Sequence, residues 1–217
     1  MGKMISIEGI DCSGKTSIAK LVSEKINYRF IEKPMLKYFE MDRITYTEVK
    51  AKMKQGIIED FPNDSQDIMF WYQAFNNVIS AKLQKYFDII VDRHYITNAF
   101  WNCNNDGNLK DNIEILSSVM SVFGKPDLTV ILSVSKETAL RRLKQRVIRK
   151  FGSITEGYGK KDYERELQKV IHAEEFVPYA IKVCEAFNIN YLIVDTEEIS
   201  LEEEAQKIVD YINSNLL

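Results

Sequence analysis

Apolar residues follow two spacings along this chain, and they alternate from one end to the other. Short continuous runs read as buried strands: Met4–Glu8, Tyr28–Ile31, Asp88–Val91, Leu128–Val134 and Tyr191–Val194. Between them, apolar positions recur every three to four residues. Ile18, Leu21, Val22 and Ile26 predict a helix over Thr16–Ile26. The same spacing predicts helices over Leu36–Met53, from an Asp64 N-cap to Tyr86, and over Leu109–Phe123, where Gly124 and Pro126 stop it. Further helices are predicted after Ser135, over Asp162–Phe187 and over Leu201–Leu216. Gly56–Asn63 reads as a loop. So does Phe151–Lys161, with Gly152, Gly157 and Gly159, placed mid-pattern like a lid spanning about 145–162. Strands alternating with helices predict an α/β, three-layer fold: a parallel sheet flanked by helices, in one domain over 1–217.

The first strand runs directly into Gly9-Ile10-Asp11-Cys12-Ser13-Gly14-Lys15-Thr16-Ser17, a complete phosphate-loop motif that opens the first helix. Position between strand and helix separates a working loop from a chance match. Glycines let backbone N–H groups curl around phosphate oxygens, and the helix N-terminus adds positive potential. Lys15 is suited to bridge β- and γ-phosphates, and the Thr16 hydroxyl to hold Mg²⁺. Asp11 is electrostatically awkward in an anion-binding loop. A hydroxyl of a substrate beside the transferred phosphate would give it a partner, and a solvated loop carboxylate is the alternative. Cys12 reads as a small loop residue in preference to a reactive thiol.

Asp92 and Arg93 follow the third strand, at the carboxyl edge of a parallel sheet where ligands bind. A guanidinium there suits phosphate; a structural ion pair is the bland alternative. Arg142, Arg146 and Arg149 share one helix face at i, i+4 and i+7, leading into the glycine-bearing loop. They fit a lid closing over a nucleotide, or simply a solvated basic face. His94 and His172 receive no role, because phosphoryl transfer needs no imidazole base. The carboxylates over 197–204 read as a solvated helix start.

Composition narrows the setting. With 29 basic and 32 acidic side chains, net charge gives no drive toward nucleic acid or an anionic membrane. No apolar run is long enough to span a bilayer, and no leader-like h-region precedes the first strand. Cys12, Cys103 and Cys184 lack metal-ligand spacing and suit a reducing, cytoplasmic compartment.

Glu8-Gly9-Ile10-Asp11-Cys12-Ser13-Gly14-Lys15-Thr16 resembles the E-G-x-D-x-S-G-K-T loop of thymidylate kinases. Asp92-Arg93-His94-Tyr95-Ile96-Thr97-Asn98-Ala99-Phe100-Trp101 resembles that family's D-R-Y-x-x-S-x-x-A-Y segment. Lys125-Pro126-Asp127-Leu128 and the arginines from Arg141 to Arg146 follow in matching order. The resemblance implies a five-stranded parallel sheet with a lid, and transfer of the ATP γ-phosphoryl group to dTMP with Mg²⁺. It implies Asp11 at the sugar 3′-hydroxyl, Arg93 on the acceptor phosphate and Asp92 near the metal or its waters. Thr97, with Trp101, would lie near the acceptor, and Arg142 and Arg146 near the adenine or ATP phosphates.

The chain departs from that pattern at four places. Cys12 stands for a loop glycine, His94 for tyrosine, and Asn76 and Asp162 for two arginines. The last two leave acceptor specificity and rate open. Met69-Phe70-Trp71-Tyr72-Gln73 also resembles the aromatic run of deoxynucleoside kinases, in which glutamine reads the base. Phe70 and Gln73 are therefore candidate acceptor contacts, and a nucleoside kinase with a 5′-hydroxyl acceptor is the alternative activity. A non-catalytic ATP-binding protein is a third. Oligomeric state stays open between monomer and homodimer; the expected partners are ATP and a nucleoside monophosphate.

Overall fold

The computed structural model describes residues 1–31, 77–103, 109–167, 169–197 and 199–216. Among the described residues are five strands, all parallel: β1 (Met4–Glu8), β2 (Arg29–Ile31), β3 (Ile89–Asp92), β4 (Leu128–Ser133) and β5 (Tyr191–Asp195). They lie in the order β2-β3-β1-β4-β5. The helices with both ends described are α1 (Lys15–Ile26), α2 (Tyr95–Cys103), α3 (Leu109–Phe123), α4 (Lys136–Phe151), α5 (Gly157–Leu167), α6 (Ala173–Ala186) and α7 (Leu201–Asn215). A helical segment over 77–84 precedes β3.

Alternating strand residues explain the three layers. On β4, Leu128, Val130 and Leu132 join Ile18, Val22, Ile208 and Ile212 on the α1 and α7 side. Ile131 faces the opposite way, into a core with Phe100, Leu143, Val147, Phe176 and Val183. Both sheet faces are therefore covered by helices, which is why the strands read as continuous apolar runs. Among the described residues, no helix is long and apolar enough to cross a membrane.

Register places the chemistry. Ile7 pairs with Asp92 across β1 and β3, and Glu8 with Ile131 across β1 and β4. The strand order reverses around central β1, so its carboxyl end opens onto a crevice. Glu8 closes this edge. Its buried carboxylate accepts hydrogen bonds from the N–H groups of His94 (3.0 Å), Ile96 (3.3 Å) and Thr97 (3.0 Å), and from the Thr97 hydroxyl. A strand carboxylate thus caps α2 from a neighbouring strand.

Three expectations change. Tyr95–Cys103 is a helix that no local start signal announced, because its cap comes from Glu8. The predicted loop Phe151–Lys161 is shorter: α4 ends at Gly152, in a left-handed conformation with φ 79°, and α5 begins at Gly157. The predicted helix Asp162–Phe187 is two helices, α5 and α6, joined by a turn containing Lys169–His172. Neither glycine nor proline marks that break. Val170 in the turn is fully buried, so packing bends the chain there. The helices predicted over Leu36–Met53 and through the first part of Asp64–Tyr86 lie outside the described residues.

Replacing Glu8 by alanine leaves three buried N–H groups without their acceptor. Orphaned donors of this kind cost about 1–3 kcal/mol each. Glu8→Ala is expected to lower the melting temperature by roughly 6–12 °C, the shift that about 3 kcal/mol produces in a domain of this size. Glu8→Gln keeps an acceptor oxygen and should lose less; equal melting of all three proteins would contradict the capping role.

Candidate active site

The phosphate loop connects β1 to α1, and its backbone conformation dictates its glycines. A side chain at Gly9 would put its first carbon 2.5 Å from the Ser13 hydroxyl and 3.3 Å from the Leu132 side chain. Gly14 has φ +95°, a left-handed conformation that disfavours any side chain. Cys12 also has a positive φ, 67°. The glycine that resembling sequences carry here is thus explained, and Cys12 adopts a conformation that costs an L-residue energy. Burial raises the Cys12 thiol pKa, outweighing Arg146 and Lys15, which disfavours the thiolate.

Lys15 folds back over the loop. Its ammonium donates to the Ile10 carbonyl and lies 3.4 Å from the Ser13 hydroxyl. Burial pushes its pKa down to about 8, against the opposing pull of Asp92, Glu8 and Cys12. The next residue, Thr16, donates its hydroxyl to the Asp92 carboxylate. The two residues expected at the metal are therefore adjacent, joined across α1 and β3. A hydroxyl and a carboxylate are hard oxygen donors. Mg²⁺ commonly takes only one or two protein oxygens beside phosphate and water, so the pair fits that ion.

Arg93 is the second strained residue, at φ 65°, with its N–H bonded to the Ile7 carbonyl at 3.0 Å. Its guanidinium forms an ion pair with Asp11. Burial lowers the Arg93 pKa, and Glu8 and Glu166 oppose that shift. Asp11 is buried, and Lys169 also approaches it, at 3.8 Å. Its partners in this arrangement are cations, one of which, Arg93, is itself a candidate phosphate ligand.

On the other side of the loop, Arg142 donates to the Cys12 carbonyl (3.3 Å), the Thr196 hydroxyl (3.1 Å) and the Thr196 carbonyl. A cavity of ≈ 220 Å³ opens there, lined by residues including Ser13, Ser17, Arg142, Thr196, Ile199 and Glu204. Glu204 was expected to be solvated; it is buried, and burial raises its pKa. Arg146 lies 3.5 Å from Glu166 on α5. Arg149 is exposed.

Thr97, a candidate acceptor contact, sits on α2 against the phosphate loop. It is fully buried, and its hydroxyl contacts Glu8 and the Gly9 backbone, so it locks α2 to the phosphate loop. Burial pushes the His94 pKa down to about 3, which keeps the ring neutral at physiological pH. Phe70, Gln73 and Asn76 lie outside the described residues, and of Trp101 only the backbone on α2 is described. Glu8, Glu166, Lys169 and Thr196 were missed as site residues. Only Glu8 had a signal, an ionisable residue ending an otherwise buried strand.

A backbone cradle for phosphate, a buried lysine over it and a threonine–aspartate pair at the sheet edge together define a P-loop nucleotide phosphotransferase. The thymidylate kinase family profile matches residues 7–208, and the chain belongs to that family. Probable thymidylate kinase 1 of Saccharolobus solfataricus is 26% identical over 212 residues, covering 96% of this chain and 97% of that protein. Thymidylate kinase of Buchnera aphidicola is 30% identical over 156 residues, covering 67% and 70%. Among solved structures, the deoxyadenosine kinase of M. mycoides with dCMP and dCDP shares the fold. Its TM-score is 0.58 at 19% identity, covering 97% of this chain and 99% of that one.

Lys15 generates a pH prediction. Deprotonation near pH 8 would remove the charge that Lys15 offers a donor phosphate over the loop, so kcat/KM for ATP should fall as pH rises through about 8. Stability should move the other way. Between about 8 and the ordinary lysine value of 10.5 the unfolded chain binds more protons, so this residue's contribution to stability rises with pH. A pH–rate profile and a pH series of melts check both. Lys15→Arg should displace the falling limb; an unmoved limb would assign it to another group.

Proposed function

We propose that this protein transfers the γ-phosphoryl group of ATP to the 5′-phosphate of dTMP, giving dTDP and ADP. A phosphate oxygen of the acceptor forms the new bond to the γ-phosphorus while the bond to the β–γ bridging oxygen breaks. The observation that supports the reading is the pair of cations at one sheet edge, Lys15 folded over the phosphate loop and Arg93 paired with Asp11 beside it. Lys15 and the loop amides serve the donor, and Arg93 serves the acceptor.

The protein's contribution is positioning and charge. The loop N–H groups and the start of α1 hold the donor phosphates, and Lys15 exchanges its carbonyl contact for them. Thr16 and Asp92 would hold Mg²⁺, which would supply positive charge against that of the donor phosphates. Arg142 borders the cavity beside the loop that accepts the donor's nucleoside. Arg93 turns its planar fork to the acceptor phosphate, and Asp11 keeps that fork aimed. The segment over 145–162, bending at Gly152, closes over the donor and excludes water.

A 5′-hydroxyl acceptor would require a carboxylate base at the end of β3. Asp92 is the residue there, and it is hydrogen-bonded to Thr16. That contact favours the metal role, and hence the monophosphate acceptor, over a nucleoside kinase.

An ADP-release assay over nucleosides and monophosphates tests the reading. dTMP should be used and thymidine should not. Arg93→Lys loses the two-pronged contact and should raise KM for the acceptor about tenfold or more, the scale of 1.4 kcal/mol, with KM for ATP little changed. Preferred phosphorylation of thymidine, deoxycytidine or deoxyadenosine would overturn it.

A further inference from the structure

The cations around the phosphate loop form a chain of alternating sign. Arg93 pairs with Asp11; Asp11 lies 3.8 Å from Lys169; Lys169 lies 3.3 Å from Glu166; and Glu166 lies 3.5 Å from Arg146. The chain joins the end of β3, the phosphate loop, the turn after α5, α5 itself and α4. Neither the sequence reading nor the family resemblance gives Lys169 a role.

Three observations set Lys169 apart from a surface lysine. Its backbone is pinned, with its N–H bonded to the Glu166 carbonyl at 3.0 Å and the next N–H, of Val170, bonded to the Leu167 carbonyl at 3.0 Å. Val170 is fully buried, which fixes the turn in place. Its ammonium faces two carboxylates that are themselves buried, at 8% and 10% side-chain exposure, while its own side chain is 43% exposed. Buried carboxylates need compensating charge, and Lys169 is shared between them.

We infer that Lys169 is a positioning residue for phosphoryl transfer: by bridging Asp11 and Glu166 it ties the phosphate loop to the helices that carry Arg146. Removing it leaves Asp11 with less opposing charge, which changes how Asp11 holds and aims the Arg93 fork. It also releases Glu166, and with it the contact that sets Arg146 relative to the loop. Both effects act on the transferring phosphate through other residues. The loss therefore belongs in kcat and in the acceptor's KM, and only weakly in ATP binding.

The inference rests on the proposed phosphoryl transfer, so its test carries one arm that needs no activity. Lys169→Ala and Lys169→Arg are compared with wild type in steady-state assays with ATP and dTMP, and in hydrogen exchange over residues 157–172. Lys169→Ala should lose about tenfold or more in the acceptor's kcat/KM while KM for ATP stays within about twofold, as expected for misplaced rather than missing groups. Lys169→Arg keeps the charge and should recover most of the loss. Exchange over 157–172 should quicken in Lys169→Ala at an unchanged melting temperature. The losses from Lys169→Ala and Asp11→Asn should be less than multiplicative when combined. Wild-type kinetics in Lys169→Ala, unchanged exchange, or fully multiplicative losses would each overturn the bridge. Wild type inactive on every monophosphate would overturn the proposed function instead, and exchange alone would then decide whether Lys169 is the tether.

Discussion

A carboxylate at the end of the central strand is the constraint on which the site depends. Glu8 is fully buried, where an ionised group is costly unless its hydrogen-bonding capacity is met. Burial raises its pKa, and the hydrogen bonds from Thr97, His94 and Ile96 act in the opposite direction. The same contacts fix where α2 begins and therefore where Arg93, two residues before it, can stand. Gly9 follows Glu8 directly, and its N–H reaches the Thr97 hydroxyl at 3.2 Å. One interaction thus ties the phosphate loop to the segment that carries Arg93.

Two non-glycine residues with positive φ lie at the same edge, while the others among the described residues, Asn27 and Asn188, are of a type that tolerates it. Cys12 and Arg93 both hold left-handed conformations that non-glycine residues seldom adopt. Such conformations persist where surrounding contacts over-determine them. Arg93 is held by its backbone bond to Ile7 and by the ion pair to Asp11; Cys12 by the loop and by Arg142 on its carbonyl. The left-handed turn at Arg93 follows directly on Asp92, so two successive residues turn to different partners, Asp92 to Thr16 and Arg93 to Asp11.

Charge around the loop is balanced by alternation. Phosphoryl transfer brings two anions together and calls for several cations in a small volume. Placed alone, Arg93, Lys169 and Arg146 would repel one another. Asp11 and Glu166 between them keep the cations close, which explains an aspartate inside a loop built for anions.

The sequence by itself determined the layered α/β architecture, the phosphate loop and the Asp92-Arg93 pair. Each is encoded locally: buried strands by continuous apolar runs, the loop by glycines at positions where a side chain would clash or strain. The Thr16–Asp92 pair was legible because both residues belong to recognisable segments. Tertiary structure decided the rest, because the contacts involved are remote in sequence. Helix α2 begins where a carboxylate from β1 caps it, so no residue near Tyr95 announces it. The break between α5 and α6 is set by the burial of Val170, in a turn without glycine or proline. Thr97 reads as an acceptor contact along the chain and becomes a buried lock only when β1 lies beside β3. Glu204 reads as one of several solvated carboxylates until the cavity beside the loop encloses it. Lys169 carries no local signal at all; its position beside Asp11 exists only because the turn after α5 folds back onto the phosphate loop.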